Sequence, residues 1–307
     1  MKKALLLFTK RSVTSGEAEP ERLMKVLQSS TDAQGLSMTY THALFDDLVY
    51  TITPKGARIL DTVNGTDIAD YDIVYIRRWA GMPERAMAVA IYLKAKGVPY
   101  IDREAYGFGS KNKMTQAWRF WEAGLPHPAT VYVEHGAGTD WLTSHISELP
   151  FGFPMVMKGV DATRGADNYL VDSLDRLQDV LTKHPDIKFI LQEFIPNDGD
   201  YRVVVCGDAI QLVMHRVAAS GKHTNNTSQG GQAALVDVSE LSEPVRADCI
   251  RAAQIFGRDF AGVDLVYNKD TGAHLFFEVN RSPQIESGKY VPEKAAALAR
   301  YLYEVSA

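Results

Sequence analysis

Residues 4–8 form an unbroken apolar run, Ala-Leu-Leu-Leu-Phe, and no other feature narrows the fold of this chain so far. A strand that is apolar at every position is buried on both faces, so its sheet needs cover on each side. The next residues supply that cover. Leu23, Val26 and Leu27 repeat at helical spacing within residues 20–27. Residues 36–44 read as extended, 72–76 as a second buried strand, 83–95 as an Ala-rich helix opening on Pro83, and 97–101 as a short strand. Strands that alternate with helices predict a parallel sheet in a small α/β domain, placed here at residues 1–104. Such sheets bind ligands beyond the carboxyl ends of their strands. Arg77, Arg78 and Trp79 follow one of those ends directly. The two arginines are therefore candidates to meet an anionic acceptor, although arginines on loops are usually solvated.

From about residue 105 the pattern changes. Residues 110–123 read as a helix with Ser110 as its N-cap, 124–128 as a turn, 130–133 and 154–158 as strands, and 173–181 as a helix. Residues 189–195 form another strand, and 201–205 with 209–214 pair as a hairpin around Gly207-Asp208. A long polar stretch at 218–232 is of the kind that is functional or disordered. A helix at 244–256 and strands at 261–267 and 274–280 complete the series. Antiparallel strands with helices on one side predict α+β units, divided at 105–195, with a helix leading in over 105–125, and at 196–307.

The bulk properties agree. A chain of 307 residues, 46% of them hydrophobic, can bury two or three cores. A net charge of −5 argues against a dedicated nucleic-acid binder. Cys206 and Cys249 lack the second pair that a zinc site needs, and read as reduced thiols in a reducing compartment. The run at 4–8 is too short for a signal-peptide core, and no stretch approaches the ~18 apolar residues that span a bilayer. The expectation is a cytoplasmic protein with neither membrane nor nucleic acid as partner.

Three groups of residues carry chemistry. Glu278 and Asn280 lie two apart in Phe-Phe-Glu-Val-Asn and so share a strand face, and Asp264 in Ala-Gly-Val-Asp can project beside them. Two carboxylates and an amide oxygen suit Mg²⁺ or Mn²⁺. A structural salt bridge is the equal alternative. Lys158 closes an apolar strand before the loop Gly159–Gly165, where it is placed to hold phosphate oxygens, or to snorkel at a strand end. Lys113, opening a helix, is similarly ambiguous, and the lone Gly165 is a weak phosphate-loop signal. The extended segment Gln192, Glu193, Phe194 and Ile195 offers backbone groups to a purine, and an acidic side chain a few residues later can meet ribose hydroxyls.

In order, these pieces run lysine, lysine with loop, Gln-Glu-Phe-Ile, Asp-x-Arg, a polar Gly-Gly loop, Gly-Val-Asp and Glu-x-Asn. That order over residues 100–290 resembles the ATP-grasp superfamily, most closely its RimK-like branch of peptide and amino-acid ligases. The resemblance implies an α/β N-terminal domain with a parallel sheet, followed by two α+β ATP-grasp lobes with antiparallel sheets. It implies that Lys113 and Lys158 hold the ATP phosphates, that Glu193, Phe194 and Ile195 form the adenine hinge, and that Asp200 meets the ribose. Arg202 and Arg216 match arginines near the γ-phosphate and the acyl phosphate, and Asn226 an asparagine on phosphate or metal. Asp264, Glu278 and Asn280 match Mg²⁺ ligands, with Glu278 bridging two ions; Mn²⁺ can take their place. The departures are Ala162 and Asp167 at glycine-like positions of the loop, and Arg281 where the family has a small residue. Arg281 reads equally as a substrate-carboxylate contact and as a surface arginine.

The implied reaction transfers the γ-phosphoryl of ATP to a carboxylate, after which an amine attacks the acyl phosphate and ADP and phosphate leave. Its partners would be small-molecule or peptide acids and amines, and a dimer or tetramer of the chain is compatible with the family. His215 and His223 lie near the implied site, where either could take a proton from the amine; a hydrogen-bonded structural role is the alternative. An ATP-grasp kinase and a non-catalytic nucleotide-binding module are the rival readings.

Overall fold

Strand β1 (Lys2–Phe8) owes its burial to cover on both sides. Its alternate side chains enter two different cores, each buried leucine contributing about 1.5–3 kcal/mol. Ala4, Leu6 and Phe8 meet Leu23 and Leu27, whereas Leu5 and Leu7 meet Ala86, Val89, Ala90 and Leu93. The computed structural model describes residues 1–9, 13–14, 17–77, 79, 81–107, 112–132, 137–162, 166–217 and 232–306.

After β1 come a two-strand ribbon, β2 (Val13–Thr14) and β3 (Glu17–Ala18), helix α1 (Glu19–Ala33) and strand β4 (Met38–Leu44). Strands β5 (Leu48–Thr53), β6 (Gly56–Asp61) and β7 (Thr66–Asp67) form a separate antiparallel sheet, which the sequence reading passed over. Strand β8 (Ile73–Ile76), helix α2 (Pro83–Lys96) and strand β9 (Tyr100–Ile101) follow. The order β4-β1-β8-β9 is parallel throughout, as predicted. Gly97 ends α2 in the left-handed region, φ 71°, and its N–H meets the carbonyls of Leu93 and Lys94.

Helix α3 (Lys113–Glu122) starts later than predicted: its N-cap is Asn112, whose side chain accepts from the N–H of Thr115 at 3.0 Å. Ser110 lies outside the described residues. Strand β10 (Thr130–Tyr132), helix α4 (Ala137–Ser144), strands β11 (Met155–Gly159) and β12 (Asn168–Val171), helix α5 (Leu174–Lys183) and strand β13 (Phe189–Glu193) make the second unit. Its antiparallel sheet runs β10-β13-β11-β12. Met155, Met157, Phe189 and Leu191 face α5 on one side. The strand predicted at 189–195 stops at Glu193.

The third unit holds β14 (Asp200–Cys206), β15 (Ala209–Val217), β16 (Gln232–Val236), α6 (Glu243–Ile255), β17 (Phe260–Tyr267), β18 (His274–Arg281) and α7 (Val291–Val305). Its antiparallel sheet runs β16-β15-β14-β17-β18. One face, with Val203, Val205, Val213, Val263 and Val279, is covered by α6 and by Phe120 of α3. On the other, Val204, Cys206, Leu212 and Phe260 share a core with α7, α1 and β1. Helix α7, absent from the sequence reading, thus joins the first sheet to the last. Cys206 and Cys249 are both buried and unpaired in disulfides. Burial pushes the Cys249 thiol up to about 12. No described helix is long and apolar enough to cross a membrane.

Candidate active site

The period of two that sends Val263 and Val279 into the core sends Asp264, Glu278 and Asn280 to the opposite face. Register places Asp264 opposite Glu278 and Gly262 opposite Asn280. The Asn280 side-chain amide donates to Asp264 Oδ2 at 3.0 Å. On the next strands Arg202 lies opposite Asp264, and Asp200 opposite Arg216. Arg202 grips Asp264 with two donors, one of them Nη2 at 2.7 Å. Arg216 grips Asp200 in the same way, with Nε at 2.9 Å, and also reaches Asp264 at 3.1 Å. Gly262 makes room for this: a Cβ there would stand 3.0 Å from Arg202 Cδ and 3.2 Å from Pro283 Cβ.

Burial alone would raise the Asp264 carboxyl, but Arg202 and Arg216 outweigh it and hold the group below its ordinary range. Asp200 shifts upward, because burial, with the Asp264 charge beside it, exceeds the pull of Arg216. Glu278 makes no hydrogen bond or ion pair among the described residues.

The second sheet turns Lys158 toward this face. Its Nζ lies 4.3 Å from the centre of the Phe277 ring and donates to Gln192 Oε1 at 2.6 Å. Gln192 in turn donates to Thr130 Oγ1 at 3.0 Å, so both ends of its amide serve to hold Lys158. Burial pulls the Lys158 amine down to about 8, opposed by the charge of Glu278 and aided by that of Lys113. Lys113 Nζ donates to the carbonyls of Gly159, at 3.2 Å, and Ala162. The loop departures have a local reason. Asp167 adopts the left-handed region, φ 47°, that a glycine would favour. Ala162 and Asp167 crowd Gly159, where an added Cβ would lie 3.0 Å from each of theirs. Residues 163–165 lie outside the described residues, as do Arg78, His223, Asn226, Gly230 and Gly231.

Past Glu193, which exchanges backbone and side-chain bonds with Ala129, Phe194 and Ile195 leave the sheet and link the second unit to the third. Ile195 is buried, and its carbonyl accepts from Asn197 Nδ2 at 2.7 Å.

Three expected substrate residues are placed elsewhere. His215 faces away from Arg216, because it is one residue along the strand, and stacks on Tyr201 with centroids 4.7 Å apart. Arg77 is wholly buried, bonded to Glu286 at 2.9 Å and 3.6 Å from Glu19. Arg281 lies 3.8 Å over the Trp79 ring and donates to Glu104 at 2.6 Å, so it is neither a free surface cation nor open to a substrate carboxylate. Sequence reasoning also passed over residues that do line a cavity at this face. A cavity adjoins Arg202 and Arg216, and Gln284, Ser287, Lys289 and Lys294 also line it. The signal was there in Lys294, a cation set against Ala295 and Leu298 in an apolar helix stripe.

The model of the RimK-like ATP-grasp domain matches residues 121–301, more than half of the chain. The chain belongs to the RimK-like ATP-grasp family. It is an ATP-dependent carboxylate–amine ligase, an enzyme that forms a C–N bond. A relative from Mannheimia succiniciproducens, "Probable alpha-L-glutamate ligase", is 30% identical over 224 residues, 71% of each chain. Another from Hahella chejuensis, "Probable alpha-L-glutamate ligase 2", is 27% identical over 76% of this chain and 75% of its own. Among solved structures, the ATP-grasp ligase PsnB complexed with its minimal precursor superposes with a TM-score of 0.69 at 17% identity over 99% of both chains. The macrocyclase MdnC of Microcystis aeruginosa, bound with precursor peptide MdnA, superposes with a TM-score of 0.66 at 15% identity, covering 98% of this chain and 99% of its own. These likenesses extend the ATP-grasp fold over nearly the whole chain. ATP-grasp ligases use ATP and Mg²⁺.

Proposed function

We propose that this ligase activates a carboxylate as an acyl phosphate on the charged face of the five-stranded sheet and joins it to an amine seated in the adjoining cavity. The observation that carries the reading is the pairing of Asp264 with Glu278, beside Asn280, on the face toward which Lys158 turns. The oxygen donors fit Mg²⁺, which is commonly held by one or two carboxylates together with substrate phosphates. Among the described residues no group of three or more acidic, His or Cys side chains could hold a metal, so phosphate oxygens would complete the shell. Asp264, Glu278 and Asn280 would hold two ions, Glu278 bridging them. Mg²⁺ there would neutralise the charge that builds up on the transferring phosphoryl group.

In this reading Lys113 and Lys158 hold the phosphates, and the backbone of Glu193, Phe194 and Ile195 receives the adenine. Gln192 acts through Lys158. Asp200, expected at the ribose, has both carboxylate oxygens on Arg216 and orients it instead. Arg202 and Arg216 neutralise the acyl phosphate, bonds to Asp200 and Asp264 keeping both guanidinium groups in place. Asn226 completes the set as a phosphate or metal contact. We read the three units as 1–104, 105–195 and 196–307, with α7 returning to the first.

The cavity is lined by four cationic side chains, Arg202, Arg216, Lys289 and Lys294, which suits an acidic substrate. The names of the relatives make L-glutamate the first amine to test, the precursor peptide bound by MdnC makes a peptide the first acid, and the cationic lining favours an acidic one. The test is a screen of amino acids and short acidic peptides for release of ADP and orthophosphate. A stable phosphorylated product in place of orthophosphate would make the enzyme a kinase and overturn the reading.

A further inference from the structure

Between β18 and α7 the segment 282–288 walls the cavity with Pro283, Gln284, Ile285, Ser287 and Gly288. Four anchors hold that segment. Ser282, at φ 50°, donates through Oγ to the carbonyl of Arg77 at 2.6 Å. Glu286 accepts from Arg77 Nη2 at 2.9 Å. Lys294 Nζ donates to the carbonyls of Gln284, at 2.9 Å, and Ser287, at 3.0 Å. Ile285 is fully buried in the core shared by β1, α1 and α7.

Arg77 and Glu286 are absent from the cavity lining, yet each is almost wholly buried. A buried ion pair is costly to desolvate, and packed apolar residues often serve stability as well or better. The bond therefore calls for a role beyond stability, and its position supplies one. Arg77 stands at the end of β8 in the N-terminal sheet, with Glu19 of α1 on its other side at 3.6 Å. Its rigid two-sided fork carries the position of that sheet to Glu286, and thence to the wall residues on either side of Glu286.

We propose that Arg77 and Glu286 form a strut that fixes the cavity wall, making Arg77 a positioning residue through which the N-terminal domain sets substrate recognition without touching the substrate. This rests on the reading above that the cavity receives the amine. The test is steady-state kinetics of the full chain with Mg-ATP, a saturating short acidic peptide as the acid and L-glutamate as the amine probe. Glu286→Gln keeps the volume and removes the charge. It should raise KM for L-glutamate about tenfold or more, with KM for ATP within about twofold, since a small misplacement remote from the chemistry is enough to cost such factors. Glu19→Gln, which removes the other carboxylate from the same guanidinium, should leave both KM values within about twofold. Arg77→Lys, milder than truncation, should give an intermediate rise for L-glutamate alone. Equal rises for L-glutamate and ATP in Glu286→Gln, or the same effect in Glu19→Gln, would reduce the pair to general stability and overturn the strut. Met214→Trp fills the cavity from β15. If it leaves KM for L-glutamate unchanged, the cavity reading itself fails; if it raises KM while Glu286→Gln does not, the strut alone fails.

Discussion

Two buried clusters in this molecule are built from the same parts and left in different states. At the edge of the first sheet, Glu104 accepts from Arg258 at 3.0 and 2.9 Å and from Arg281 at 2.6 Å. Arg258 continues to the carbonyl of Val279, Arg281 lies on Trp79, and the Glu104 N–H is bound to the carbonyl of Gly257 at 2.8 Å. Backbone and indole close every side. On the five-stranded sheet, Arg202, Arg216, Asp200 and Asp264 are paired just as fully, but Glu278 beside them has no such partner among the described residues, Lys158 faces them, and a cavity opens at Arg202 and Arg216. The first cluster is an internal joint. The second can exchange its bonds for those of a ligand. The lesson is that arginine–carboxylate pairing does not mark a site; an adjoining space and one acid left out of the pairing do.

Four measurements test that contrast. The largest effect should come from Glu278→Ala, which should lower kcat/KM for ATP by about a thousandfold or more, as loss of charge stabilisation at a phosphoryl group does. Its thermal midpoint should stay close to that of the parent, because no ion pair among the described residues is broken. Near-normal turnover would remove Glu278 from the chemistry. Glu104→Ala should do the reverse: about 3–5 kcal/mol of stability lost in urea titration, since two arginines are left buried without their partner. The fraction still folded should keep its kcat/KM for ATP.

The third is a pH profile. Burial holds Lys158 near 8, aided by the charge of Lys113 and opposed by those of Glu278, Asp200 and Asp264. A lysine is charged below its pKa and neutral above, so the phosphate-holding charge is present below about pH 8 and lost as pH rises through it. The free-enzyme profile, kcat/KM for ATP, should fall on that limb, and Lys158→Met should flatten the limb at a lower rate. A limb that persists in Lys158→Met would assign it to another group. The smallest effect is expected at His215. Facing the helix-covered side, His215→Ala should change kcat/KM by less than about threefold, whereas loss of a general base costs a hundredfold or more.

Much of the fold was legible because its cores follow strict periods. The unbroken run at 4–8 specified two-sided cover, and both covers are present. Asp264, Glu278 and Asn280 were legible together because a period of two leaves no other common face. What escaped was set by distant contacts. Nothing local to Arg77 announces Glu286, 209 residues along the chain. Nothing beside Arg281 announces Glu104. Short exposed strands such as β5, where Ile52 is 83% exposed, carry little hydrophobic pattern to read. Helix α7 carries a plain Ala- and Leu-rich stripe, but which sheet that stripe covers is set by contacts with β1 and α1 at the other end of the chain.

That helix has a consequence for synthesis. Domains commonly fold in order as they leave the ribosome. Here Leu6 and Phe8 of the earliest strand wait for Leu298 and Leu302, which are translated after both antiparallel sheets. Lys2 Nζ then donates to the carbonyls of Tyr303, at 3.2 Å, and Ser306, at 2.9 Å. The first sheet therefore emerges with one greasy side covered by α1 alone until α7 has been made. A nascent chain halted before residue 291 should bind chaperones and be cut in β1 by protease, while one extended past 306 should resist both.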